Sequence, residues 1–144
     1  MHGMTSIVKT VTRLLVGVIF IYGVYIILHG HLSPGGGFAG GAIIAGALIL
    51  LILAFGGRTM KLRREEAESS ILESIAILLF LFMGIAVLFL GTKVFFSNYL
   101  PHGELGELIS AGVIPLYNIA VGIEVAAALF TIFLALIIYK EEIK

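Results

Sequence analysis

Four long runs of apolar residues constrain the fold of this 144-residue chain more than any other feature. They lie at about 7–28, 38–55, 71–96 and 113–139. A helix of about 20 apolar residues crosses the hydrocarbon core of a bilayer, whereas an open strand would leave its backbone polar groups unpaired in lipid. The sequence therefore predicts an all-α integral membrane protein with four transmembrane helices, forming a single domain over 1–144.

The composition agrees with a membrane protein and excludes several classes of function. Hydrophobic residues make up 60% of the chain, and the mean hydropathy is +1.14. Only 12% of the residues are charged, against about 25% in soluble domains. The chain has no cysteine, which excludes disulfides, thiolate metal sites and a cysteine nucleophile. The formal net charge is zero, so no nucleic-acid partner is expected.

The basic residues predict the orientation of the chain. Eight of the nine Lys and Arg residues fall on one side of the four predicted spans: Lys9, Arg13, Arg58, Lys61, Arg63, Arg64, Lys140 and Lys144. Cytoplasmic loops carry an excess of such residues. We therefore expect a multi-pass protein of the cell (plasma) membrane with both termini in the cytoplasm. The segment 56–70 is then a charged cytoplasmic loop, either simply solvated or a docking surface for a soluble partner.

A glycine-rich segment lies between the first two apolar runs, and residues 35–41 read GGGFAGG. Its glycines recur at four-residue spacing and place small residues on adjoining strips of a helix, namely Gly36, Gly37, Gly40 and Gly41. Small residues let neighbouring helices approach closely in lipid. One interpretation is close packing against another helix or subunit. The other is a broken helix start that lines an ion or water path.

The residues just before these glycines are also polar. Ser33 and Pro34 are typical of an N-cap followed by a first-turn proline, which would start the second helix there. His29 and His31 lie at the predicted outer mouth and are candidates for an ion or proton path. Two histidines two residues apart do not share a helix face, and no carboxylate is near in sequence. The segment therefore predicts neither a metal site nor, without a following Lys-Ser/Thr, a phosphate-binding loop.

Glu124 lies near the centre of the fourth predicted helix. A carboxylate at that depth is costly in lipid and should face protein or water. Small and polar residues three, four or seven positions away support such a face: Tyr117, Ala120, Ala127, Ala128 and Thr131. Three interpretations remain open. Glu124 binds a proton or cation in a translocation path, or holds two helices together as a neutral acid, or pairs with a base. For the third, a base on another subunit is a better candidate than Lys93.

Glu73 and Lys93 are the remaining candidates for an ion or proton path, at opposite ends of the third predicted span. Glu73 is expected to open that helix, where a carboxylate complements the helix dipole. Lys93 either extends to the outer interface or relays protons. The sequence shows no catalytic triad, no metal-ligand spacing and no cofactor fingerprint. It predicts no catalytic residue and no cofactor, and a chain this small should pack against other membrane subunits.

Residues 29–41, which read HGHLSPGGGFAGG, closely resemble the signature of the B subunit (MnhB family) of Mrp-type multisubunit sodium/proton antiporters. Residues 10–15 and 51–56, the four-span layout and the total length are also similar to that family. Subunits of this kind occur in the membrane arms of archaeal membrane-bound hydrogenase and sulfane sulfur reductase complexes. The resemblance implies an accessory membrane subunit of an assembly that moves sodium and protons, and it carries over no catalytic residue.

Three functions are therefore open at this point. The first is a non-catalytic subunit that helps to line the cation and proton path of an antiporter. The second is the same subunit within the membrane arm of a respiratory oxidoreductase. The third is a purely structural assembly subunit with no part in ion movement.

Overall fold

The computed structural model describes residues 3–56, 59–89, 94–104, 106–107 and 110–143. These residues form four helices and, within the described ranges, no strand: α1 (Ser6–Leu28), α2 (Gly36–Phe55), α3 (Thr59–Phe89) and α4 (Ile114–Glu142). All four are long and apolar enough to cross a membrane. The predicted all-α fold with four membrane-spanning helices is confirmed, whereas the side on which the termini lie stays a prediction.

Helix α2 lies at the centre of the packing. It contacts α1 along one side and α4 along the other, and α4 in turn packs against α3. Helix α1 also meets α4 over a short stretch, where Gly122 faces Ile27. Among the described residues, the backbone of α3 comes close to that of α4 alone, although Leu62 of α3 shares a cluster with Ile52 of α2. One face of α4 therefore packs on α2 and another on α3.

The bundle has two distinct ends. At one end, which we call the termini side, the amide of Met4 donates to the carbonyl of Ala54 at 2.9 Å, which holds the start of α1 to the end of α2. The other end, the loop side, contains the connection 29–35 and the described parts of 94–113. Helices α2 and α4 both run from the loop side to the termini side.

The described helix α3 differs from the expected third span at both ends. Residues 59–70, predicted as part of a loop, form the first three turns of α3. Two ion pairs at four-residue spacing, the spacing that stabilises a helix, join Lys61 to Glu65 at 3.5 Å and Arg64 to Glu68 at 2.7 Å. At the other end the described helix stops at Phe89, and 94–96 are turns and bends rather than helix.

A buried contact anchors the same three turns. Leu62 is only 1% exposed and packs with Leu134 and Ile138 of α4, with Ile52 of α2 against the cluster. Burial of a leucine side chain stabilises by about 1.5–3 kcal/mol. Hydropathy alone did not predict this extension of α3. Its exposed side is rich in charged residues, which lower the mean hydropathy, and only one leucine faces the bundle.

The start of α2 also differs from expectation. The helix begins at Gly36, and Gly35 before it has φ +130°, a conformation open to glycine and strained for other residues. The Ser33 hydroxyl donates to the His29 carbonyl at 3.1 Å instead of capping α2. The interpretation of Ser33 and Pro34 as the start of the helix is therefore wrong, because residues 33–35 form a bend and turn and the helix starts only at Gly36.

Candidate functional site

Glu124 faces a cleft between α3 and α4. Its half-buried side chain lines a cavity of about 180 Å³ in which every other lining residue is apolar: Ala76, Ile77, Phe80, Ala120 and Val121. No ion pair joins Glu124 to another described residue. The carboxylate thus lies in an apolar cleft without a basic partner among the residues described.

Glu73 lies at nearly the same level as Glu124. The Ser69 hydroxyl of α3 donates to the Ala127 carbonyl of α4 at 2.9 Å, and Ala76 and Ala120 line one cavity. These pairs fix the register of two antiparallel helices. Glu73 follows Ser69 by four residues, and Glu124 precedes Ala127 by three. The two positions therefore differ by about one residue, or about 1.5 Å along the helix axis.

This placement corrects the position expected for Glu73. It is the fifteenth residue of α3 rather than a member of the first turn. The favourable effect of a helix dipole on a carboxylate fades beyond the first turn, so it does not account for Glu73. Glu73 and Glu124 are both half-buried and lie deep in the helices, where charge is costly in lipid.

Two residues with hydroxyl groups lie on the same side of α4 as Glu124. Tyr117 and Thr131 each lie seven residues from Glu124 and therefore on the same helix face. Their hydroxyl oxygens are buried and have no hydrogen-bond partner among the described residues. Buried polar atoms are nearly always paired, so both are candidates for water, an ion or a neighbouring subunit. We call Tyr117, Glu124 and Thr131 the α4 polar line, whose members are about 10 Å apart.

The four signature glycines face two different helices of this chain. A Cβ atom at Gly40 would lie 2.5 Å from Cγ1 of Ile27 in α1. A Cβ atom at Gly41 would lie 2.6 Å from the carbonyl oxygen of Gly122 in α4, and one at Gly37 would meet the backbone of α4 as closely. Such contacts exclude any side chain, so these glycines let α2 lie directly against α1 and α4.

Asn118 is a polar residue of this region that the sequence analysis missed. Its amide lies between two glycines of the α1–α2 connection: Cβ atoms would lie 2.8 Å from Nδ2 at Gly30 and 3.2 Å from Oδ1 at Gly36, which has φ +59°. An amide near the start of an otherwise apolar membrane helix was the available signal, since such side chains often join helices in lipid.

The two histidines lie on the loop side and contact backbone carbonyls. His29 Nδ1 is 3.0 Å from the Tyr25 carbonyl, and its ring stacks on Tyr25 at 4.0 Å. His31 Nε2 is 3.2 Å from the Glu107 carbonyl. Because a carbonyl only accepts, His31 Nε2 is the donor, and its Nδ1 is left buried without a partner among the described residues.

The structure does not unite all the candidate residues at one place. Glu124 is ten residues into α4, about 15 Å along the axis from the loop side, so the histidines are separate from the two carboxylates. Lys93 lies outside the described residues. Within the described ranges, no group of three or more His, Asp or Glu side chains is arranged to hold a metal ion.

Comparisons with known proteins agree with the fold. A family model described as a domain related to the MnhB subunit of Na+/H+ antiporter matches residues 7–131. A putative antiporter subunit mnhB2 of Staphylococcus aureus (strain Newman) is 34% identical over 135 residues, covering 90% of this chain and 92% of that protein. An uncharacterised protein of Methanocaldococcus jannaschii is 40% identical over 114 residues, covering 76% of this chain and 43% of that protein.

A solved structure is similar as well. A chain of the membrane-bound sulfane sulfur reductase, an archaeal respiratory membrane complex, aligns with a TM-score of 0.63 and 33% identity. The alignment covers 89% of this chain and 56% of that chain. The chain thus spans about half the length of that chain and of the Methanocaldococcus relative. On the family match and the mnhB2 relative, this multi-pass membrane protein belongs to the family of domains related to the MnhB subunit of Na+/H+ antiporters.

Proposed function

We propose that this chain is an accessory membrane subunit of a sodium/proton antiporter module, in which it packs against other subunits and lines part of the path for sodium and protons. Its family membership supports this assignment. The observation that carries the path-lining role is the shared level of Glu73 and Glu124 deep in the α3–α4 pair.

Two carboxylates at one level suit the exchange of monovalent cations. Charge at this depth is costly in lipid, and a bound cation offsets that cost. A proton and a sodium ion are alternative ligands of carboxylate oxygens. Competition between the two ions for one pair of carboxylates is the elementary step that couples their movements.

The other candidates take lesser parts in this proposal. The α4 polar line provides hydroxyls above and below Glu124 for water or a hydrated cation. His29 and His31 remain proposed members of the path on the loop side, where the contact of His31 with the Glu107 carbonyl also holds the loop. Lys93 remains a proposed member and lies outside the described residues. We infer that the chain performs no catalysis of its own.

The same subunit within a respiratory complex is the second candidate function. The structural match to a chain of the sulfane sulfur reductase complex favours it. In that setting the chain would have the same place in an ion-translocating membrane arm, and electron transfer would occur in other subunits. The genes adjacent to this one separate the two, since genes for a redox enzyme accompany only the respiratory complex.

Membrane vesicles test the transport role. Vesicles from cells that lack this protein should lose sodium-dependent proton movement and regain it when the gene is restored, as measured with a pH-sensitive dye. The other subunits should be quantified in the same vesicles. Unchanged flux without this chain would overturn the proposal, and loss of flux only through loss of the other subunits would reduce the role to assembly.

A further inference from the structure

Three aromatic rings meet where α3 and α4 approach the loop side. The ring centroids of Phe80 in α3 and Tyr117 in α4 are 5.1 Å apart. The centroid of Phe96 lies 5.4 Å from that of Phe80 and 5.3 Å from that of Tyr117. Each ring therefore contacts the other two, at separations typical of packed aromatic pairs. We call Phe80, Phe96 and Tyr117 the aromatic cluster.

The aromatic cluster lies at the loop-side end of the cavity beside Glu124. Phe80 is itself a lining residue of that cavity. Tyr117 precedes Glu124 by seven residues on the same face of α4, about 10 Å along the axis toward the loop side. Water or an ion that moves between α3 and α4 from the loop side therefore reaches these rings before it reaches the carboxylate.

The other end of the same helix pair is closed by apolar packing. Leu62 and Leu134 are 1% and 0% exposed and pack against each other on the termini side of Glu124. Sideways, the cavity borders Ile77, which is 49% exposed, so that opening faces lipid or a neighbouring subunit. Along this helix pair, the described residues thus separate Glu124 from both ends with apolar contacts.

Phe96 differs from the other two rings of the cluster in its backbone. Phe80 and Tyr117 lie in helices, whereas Phe96 lies in the turns and bends of 94–96 and has φ +59°. This left-handed conformation is strained for a bulky residue. Strain of this kind persists only where the surrounding contacts impose it, and it is concentrated at sites that move or bind. The backbone of Phe96 therefore relaxes if the ring leaves the cluster.

Two neighbouring residues hold the Phe96 ring in its strained position. A Cβ atom at Gly84 would lie 2.8 Å from Cζ of Phe96 and 3.0 Å from Cε1, so the ring packs on α3 where there is no side chain. Asn98 joins the segment to the start of α4, because its Oδ1 accepts a hydrogen bond from the Val113 amide at 3.1 Å. The ring thus lies between a bare stretch of helix and an anchored loop.

We propose that the aromatic cluster is a hydrophobic gate on the loop side of Glu73 and Glu124, and that Phe96 is its moving member. Apolar constrictions stop ions because water does not remain in them. Movement of Phe96 opens the space between α3 and α4 and uncovers the Tyr117 hydroxyl, which is buried without a partner among the described residues. The inference rests on the proposed function and adds the route by which ions reach the two carboxylates.

Labelling of a cysteine in the cavity tests the gate. The chain has no cysteine, so Ala120→Cys gives it a single thiol at a buried position that lines the cavity. Vesicles with the assembled complex should be treated from the loop side with a membrane-impermeant methanethiosulfonate. Adding Phe96→Ala should speed the reaction about tenfold, equivalent to roughly 1.4 kcal/mol in the barrier. Val121→Cys, which lines the same cavity, is the alternative position for the thiol.

Three further variants are the controls for this labelling. Leu100→Cys, on the loop side, should react readily with or without Phe96→Ala and shows that the reagent reaches that side. Gly84→Ala places a methyl group against the Phe96 ring and should also speed labelling in the cavity. Phe89→Ala removes a ring of α3 that is 88% exposed and should not.

Two results would overturn the gate. One is an equal rate of cavity labelling with and without Phe96→Ala, and the other is an equal increase from Phe89→Ala. Because labelling does not depend on ion flux, unchanged labelling with normal sodium-dependent proton movement overturns this inference alone. Faster labelling in Phe96→Ala, in a complex whose flux does not require this chain, overturns the proposed function alone.

Discussion

Glu73 of α3 and Glu124 of α4 lie at nearly the same level of an antiparallel helix pair, because the bond from the Ser69 hydroxyl to the Ala127 carbonyl sets the register of the two helices. Their levels differ by about one residue, and the cleft beside Glu124 is otherwise apolar. Carboxylates at that depth are costly in lipid and face protein, water or a bound ion. Transport and stability should therefore respond differently to substitutions along this pair of helices.

Substitutions that remove the buried hydroxyls of the α4 polar line should affect transport but not stability. Tyr117→Phe and Thr131→Val each remove a hydroxyl that has no partner among the described residues. Loss of an unpaired buried group is nearly neutral for stability, so we expect little change in the melting temperature of the complex. We expect sodium-dependent proton flux to fall, because these hydroxyls lie next to the proposed path. Normal flux in both variants would remove them from the path.

Gly41 and Gly46 form a matched pair on α2. Gly41→Ala would place a methyl group 2.6 Å from the Gly122 carbonyl oxygen, whereas the corresponding position at Gly46 has no atom within 4 Å. Overpacking typically costs about 1–3 kcal/mol. We expect Gly41→Ala to lower the melting temperature of the purified chain in detergent, and Gly46→Ala to keep or raise it. Equal melting temperatures would show that α2 and α4 are not in close contact.

The first turns of α3 should depend on Leu62. Leu62→Ala removes a buried side chain from its contact with Leu134 and Ile138, and such changes cost about 2–5 kcal/mol. Hydrogen exchange should speed up over 61–70 and the facing turns of α4. Ile71→Ala, at a position 60% exposed, is the control and should change little. Rapid exchange over 61–70 in the unsubstituted chain would contradict the helical assignment.

His31 should hold the loop side together. His31→Ala removes the bond to the Glu107 carbonyl, worth about 1 kcal/mol, and should increase protease cleavage within 97–107. His29→Ala is the matched control, since His29 bonds to Tyr25 of its own helix. If both variants are cleaved at the same rate as the unsubstituted chain, the His31 contact does not restrain the loop.

The sequence predicts the elements of this chain better than their relative positions. Four apolar runs are sufficient to identify four helices, because lipid leaves the backbone few alternatives. The early start of α3 is not evident from hydropathy. The charged residues around Leu62 lower the mean hydropathy of 59–70, and the burial of Leu62 against α4 is not visible in the sequence. The shared level of Glu73 and Glu124 is not visible in the sequence, because the register depends on a contact between Ser69 and Ala127, 58 residues apart.

The glycine signature illustrates the same limit. Its four-residue spacing predicts strips of small residues, and the structure places such strips against two helices of the same chain. Which strip meets which helix depends on the packing order, which spacing does not specify. Asn118 was overlooked for a related reason: its significance comes from the glycines around its amide, and these lie in another part of the chain.

A double-mutant cycle on the two carboxylates tests the central claim most directly. Sodium-dependent proton flux should be measured in vesicles with Glu73→Gln, Glu124→Gln and both changes, with the amount of assembled complex determined in each case. Glutamine retains the shape of the side chain but binds neither a proton nor a sodium ion in the same way. Glu107→Gln, on the exposed loop, is the control and should leave the flux unchanged.

Each single variant should lower the flux about tenfold, equivalent to roughly 1.4 kcal/mol in the barrier, while the complex still assembles. Because the two groups act on one ion, the double variant should be little worse than either single variant. Normal flux in an assembled Glu124→Gln variant would contradict a shared ion between Glu73 and Glu124. So would a double variant whose fold-loss of flux equals the product of the fold-losses of the two single variants.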